Sequence, residues 1–213
     1  MKNNIYPKVF LWMFIGLLVT FLTGDYTYTN KDSLELIYNK GLYWIFALVE
    51  IGLAIFLSAR IHKMSSTTAR ITYLLYTFLT GLTFSSIFIV YKLESIMLVF
   101  LVASILFLVF ALIGYFTKTD LTKIGTILMM MLLGVIICIV INIFLGSETF
   151  DIVISCISVI IFLGFIAYDI QKIKKMENYL PEDNLAVIGA FELYLDFINV
   201  FLDLLRLFGR ADD

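Results

Sequence analysis

Five polar side chains near the end of the chain share one helical face. Glu192, Asp196, Asn199, Asp203 and Arg206 are spaced four, three, four and three residues apart, the interval that returns a side chain to the same side of an α-helix, and Phe, Leu, Ile and Val cover the rest. The carboxylates on that face offer hard oxygen ligands, which suit a hard cation or a travelling proton. Another carboxylate, Asp169, stands in the apolar run Gly164-Phe165-Ile166-Ala167-Tyr168-Asp169-Ile170-Gln171. Two carboxylates brought together in low dielectric share a proton and titrate as a coupled pair, so Asp169 with Asp196 would make a pH-sensitive latch. Glu50 lies in the middle of a further apolar run, with Arg60 at its end. The two are about 15 Å apart along a helix and do not pair with each other. Arg60 is placed to reach Asp169 or Asp196 and hold one of them ionised, or it is an ordinary flanking charge.

These groups need apolar helices to position them. Of 213 residues, 62% are hydrophobic and 15% charged, with a mean hydropathy of +1.00, a surplus that no soluble core of this size can hide. Runs long enough to cross a bilayer fall at 7–23, 42–59, 71–91, 96–116, 122–146, 152–170 and 185–208, so the expectation is a single seven-helix membrane domain over residues 1–213. The first run is expected to be a retained helix, since Phe21-Leu22-Thr23-Gly24-Asp25 is a poor signal-peptide cleavage site. Ten of the 15 Lys and Arg residues fall in the N-terminus and the loops on its side, which makes the N-terminus cytoplasmic and the C-terminus external.

Intramembrane charge is expensive, so such residues are functional candidates. The polar stripe requires its helix to face a bundle interior or water; a helix lying flat on the membrane is the other solution. Asp169 ends its predicted span, whereas Asp196 is about 16 Å into the next. They meet only if span seven enters the membrane later, near Phe191, or span six continues. The hydroxyl-rich run from Tyr76 to Ile87 is expected to bond its own backbone carbonyls in close helix packing. Cys138 and Cys156 lie in apolar runs and His62 is the single histidine, which removes disulfide frameworks and multi-histidine zinc chemistry. A net charge of −2 offers nucleic acid no basic face.

The run Leu193-Tyr194-Leu195-Asp196-Phe197-Ile198-Asn199, continuing to Leu204-Leu205-Arg206-Leu207-Phe208-Gly209, resembles the signature of the transmembrane Bax inhibitor motif family in its bacterial, YetJ-like branch. Tyr168-Asp169 with Gln171, the run from Tyr76 to Ile87, and Glu50 with Arg60 fit the same family. The resemblance implies an all-α membrane protein in which six helices wrap a central C-terminal one. It also implies a calcium leak gated by the Asp169–Asp196 pair with Arg60 as switching partner. Glu50, Glu192, Asn199 and Asp203 would then line the ion pathway, and Asp169, Asp196 and Glu50 would hold calcium in passing. Glu192 and Asp203 depart from the small or neutral residues expected there.

The function expected is therefore a non-enzymatic, pH-sensitive calcium leak channel, with calcium and protons as its ions, the bilayer as its partner, no cofactor, and a monomer by default. Two alternatives remain. An intramembrane aspartyl protease would also place aspartates in spans six and seven, but it requires Gly-x-Gly-Asp where this chain has Leu193-Tyr194-Leu195-Asp196. A proton-coupled transporter would use Glu50 and the pair as a relay. A retinal receptor is excluded, because no lysine lies within span seven.

Overall fold

The computed structural model describes residues 5–38 and 41–211; Lys2 and Lys40, which entered the orientation count, lie outside them. It is built of helices: α1 (Tyr6–Thr29), α2 (Lys31–Tyr38), α3 (Leu42–Arg60), α4 (Ser66–Val90), α5 (Leu93–Phe116), α6 (Thr122–Leu145), α7 (Glu148–Met176) and α8 (Glu182–Phe208), with a short 3-10 turn at Ile61–Lys63. Seven of them are long and apolar enough to cross a membrane. The exception, α2, spans eight residues, about 12 Å, and cannot cross. The protein is an all-α integral membrane protein.

Local chemistry sets the ends. Pro7 sits in the first turn of α1, where a missing N–H costs nothing. Ser65 caps α4 by accepting from the Thr68 amide at 3.2 Å. Gly146 closes α6 in the left-handed region at φ 60°, a conformation that glycine adopts without the Cβ penalty. Two helices run past their expected ends. Helix α1 continues through Gly24 and Asp25 to Thr29, and α7 continues two turns beyond Asp169 to Met176. Asp169 is thus inside a helix rather than at its end.

The chain forms two compact units. Unit 1 contains α1 to α4 and the start of α8 up to Tyr194; unit 2 contains α5 to α7 and α8 from Leu195 onward. In unit 1, α4 packs against both α1 and α3. Glycines allow the first contact: a Cβ on Gly81 would lie 2.8 Å from the Thr20 carbonyl oxygen. In unit 2, α5 and α6 both pack on α7, with Gly114 against the Ala167 backbone and Gly125 against the Tyr168 ring. Lipid tails are as apolar as leucine, so close backbone approach through small residues is what holds such helices together.

Burial separates the spans. The apolar window of α8 is 78% buried inside the protein, that of α3 only 6%. Helix α8 is therefore an interior helix, and the alternative of a helix flat on the membrane surface falls away.

Candidate functional site

In unit 1, Glu50 projects from the middle of α3 toward α4. Its carboxylate accepts a hydrogen bond from Thr83 Oγ1 at 2.7 Å. The expectation for the hydroxyl run holds for its neighbours: Thr77, Thr80, Ser85 and Ser86 each donate to a backbone carbonyl of their own helix. Thr83 Oγ1 also lies 2.9 Å from the Thr80 carbonyl, so its single proton serves either that carbonyl or Glu50, and the Thr80 hydroxyl is within hydrogen-bonding reach of Glu50 as well. Arg60 ends α3 with an exposed side chain. Glu192, on the unit 1 part of α8, is half-buried.

Next to Glu192, Tyr194 is fully buried and shares a 2.6 Å hydrogen bond with Thr20 of α1. Tyr73 and Tyr76 of α4 stand edge-on to Phe191 and Tyr194 at centroid distances of 5.6 to 6.5 Å, the geometry that aromatic quadrupoles favour. Tyr73 also donates to the Trp12 carbonyl at 3.1 Å. This aromatic block packs the unit 1 part of α8 against α4.

In unit 2, three carboxylates of the membrane helices are buried: Asp169 at 7% exposure, Asp196 at 5% and Asp203 at 7%. Lys172, one turn on from Asp169, approaches it at 4.0 Å. Asn199 turns back on its own helix and donates to the Leu195 carbonyl at 2.7 Å. Asp203 faces a polar stripe on α7: Ser155 and Ser158 lie in hydrogen-bonding reach of it. Arg206 completes the cluster, with Asp151 at 3.4 Å, Asp203 at 3.4 Å and the Ser155 hydroxyl at 3.1 Å. Asp151, Ser155 and Ser158 did not figure among the expected site residues. Their spacing of four and three is the signal that could have found them, since it repeats the arithmetic of α8.

The guanidinium is what makes the buried Asp203 tolerable, so Arg206→Gln is expected to lower stability. The loss is about 1–2 kcal/mol, below that of a fully buried pair because both Arg206 and Asp151 are about two-fifths exposed. Thermal unfolding in detergent would measure it. Adding Asp203→Asn should restore most of the loss, and an additive double variant would refute the pairing.

The other end of unit 2 is tied by Gln171, which accepts from the Leu121 amide at 2.9 Å and donates to the Thr119 carbonyl at 2.8 Å. Among the described residues, no group of three or more His, Cys, Asp or Glu side chains is arranged to hold a metal ion.

The family described as inhibitor of apoptosis-promoting Bax1 matches residues 2–213. The chain is 40% identical to the inner membrane protein YbhL of Escherichia coli K12, over 95% of its own length and 90% of that protein's. It is 40% identical to an uncharacterized protein of Borreliella burgdorferi over 98% of its length and 93% of the relative's. Similarity also extends to an uncharacterized membrane protein of Streptococcus pyogenes serotype M1, at 33% identity over 99% of this chain and 94% of that one.

Proposed function

The chain belongs to the family of inhibitors of apoptosis-promoting Bax1, and from that premise we propose that it is a pH-sensitive calcium leak channel. Asp169 and Asp196 form its gate at the cytoplasmic side, with Arg60 as the switching partner. The observation that carries this is the burial of carboxylates within apolar helices, Asp169 and Asp196 above all. Charge at such depth costs about 2.5–3.5 kcal/mol per residue, which a purely structural helix would avoid.

The chemistry follows from the pair. A shared proton holds α7 and α8 together, because two like charges in low dielectric repel and one proton removes the repulsion. When that proton leaves, a compensating cation is required, and Arg60 supplies it by moving with α3. The small buried share of α3 supports its being the mobile helix. Calcium passes carboxylates at Glu50, Glu192 and Asp203 without being locked in place, as permeation requires. The channel needs no cofactor and acts in the cell membrane with its N-terminus cytoplasmic and its C-terminus outside.

The residues before Asp196 favour a channel over a peptidase. Leu193 and Tyr194 are fully buried, whereas peptide hydrolysis needs room for substrate beside the catalytic carboxylate. The test is calcium uptake by dye-loaded liposomes containing the purified protein. Uptake faster than in empty liposomes, with a rate that changes with pH, is expected. Equal rates in the two preparations would overturn the proposal.

A further inference from the structure

One end of unit 2 carries Lys118, Lys123, Lys172, Lys174 and Lys175, gathered by the end of α5, the start of α6 and the end of α7. Among the described residues, carboxylates reach only two of them: Asp169 approaches Lys172, and Asp120 pairs with Lys175. The Lys175 ammonium beside Asp120 holds that carboxyl well below the usual range, so it stays charged and cancels one lysine. Lys118, Lys123 and Lys174 are exposed and leave a surplus of positive charge. The basic groups at the start of α1 and α4 in unit 1 are spent differently: Lys8 pairs with Glu182 at 3.0 Å and Arg70 with Asp183 at 3.1 Å.

Two of these lysines are also held against aromatic rings. Lys174 sits over the Tyr115 ring at 5.3 Å and Lys172 over Tyr168 at 6.0 Å. The loop that carries Lys118 is clamped to α7 by Gln171. Just along α5 and α6 from these charges, Leu112, Phe116 and Ile124 are exposed, Phe116 at 70%. Membrane orientation requires positive charge in a loop. It does not require ammonium groups held over tyrosine faces.

From this juxtaposition we propose that this end of unit 2 is a binding site for an anionic phospholipid. The phosphate lies among Lys118, Lys123 and Lys174, and an acyl chain lies along Leu112 and Phe116, one turn apart on α5. Charge complementarity selects the headgroup, and the apolar pair distinguishes a lipid from free phosphate.

Native mass spectrometry of the detergent-solubilised protein, titrated with dioleoylphosphatidylglycerol or dioleoylphosphatidylcholine, tests it. The wild type is expected to retain phosphatidylglycerol in preference to phosphatidylcholine, and added inorganic phosphate should not displace it. Lys118→Gln/Lys123→Gln/Lys174→Gln is expected to weaken phosphatidylglycerol binding at least about ten-fold, since each lysine near a lipid phosphate contributes roughly a five-fold factor. The arginine triple variant should restore binding, and Lys31→Gln/Lys63→Gln, which removes charge elsewhere, should leave it intact. Equal binding of the two lipids by the wild type, displacement by inorganic phosphate, or unchanged affinity in the folded glutamine triple would overturn the proposal. The lipid preference of the wild type decides the matter even if that variant does not fold.

Discussion

Asp169→Asn and Asp196→Asn are each expected to flatten the pH profile of calcium uptake. A gate controlled by one shared proton changes its open fraction by up to about ten-fold per pH unit across the apparent pKa of the pair. With asparagine at either position the coupled proton is gone, and one carboxylate is left to titrate without a like-charged neighbour. Uptake should then vary by less than about two-fold over the range where the wild type responds. Asparagine preserves the shape and some hydrogen bonding of these buried side chains, so the variants should remain folded, which thermal unfolding in detergent would confirm. A wild-type profile preserved in both variants would remove the pair from the gate.

The largest effect on the fold is expected at Gly114. A Cβ there would stand 2.8 Å from the Ala167 Cα and 2.9 Å from its carbonyl carbon. These are backbone atoms of α7, with no flexible side chain to move aside. Gly114→Ala should therefore push α5 away from α7 and cost about 3 kcal/mol, the upper part of the usual overpacking range. The gain that alanine brings in helix propensity, about 1 kcal/mol, offsets only part of this. Gly134→Ala is the control, because nothing lies within 4 Å of a Cβ at that position; it should be neutral or slightly stabilising. Unfolding midpoints in one detergent would rank the two, and equal midpoints would contradict the close α5–α7 contact.

The spans were legible because hydropathy reports the solvent a segment faces. For the same reason their ends were not. Lys172, Lys174 and Lys175 lower the hydropathy after Ile170, yet α7 continues to Met176, since a helix does not stop where the membrane does. Helix α2 was missed: it is short and polar, and its pattern carries no membrane signal. The stripe on α8 was legible from spacing alone. What faces it was harder to see. Thr83 is one of several hydroxyls on α4, and which one reaches Glu50 depends on how α3 and α4 are rotated, a matter of packing rather than pattern. Asp151, Ser155 and Ser158 are scattered through a mostly apolar run, and only the packing of α7 against α8 shows that they face Asp203 and Arg206. Burial of α8 inside the protein decided between a core helix and a surface one, and no sequence interval could have done that.

The same helix carries Asp196 and Asp203, both buried where charge is costly. In the proposed function the pathway is passive: calcium flows down its own gradient, and protons set the rate without driving the flow. The direct measurement is net calcium movement in liposomes containing the wild-type protein, with calcium equal on both sides and a proton gradient imposed across the membrane. No net accumulation is expected, with uptake appearing once calcium is made unequal and its rate following pH. Accumulation of calcium driven by the proton gradient alone would contradict the leak and point to a proton-coupled transporter.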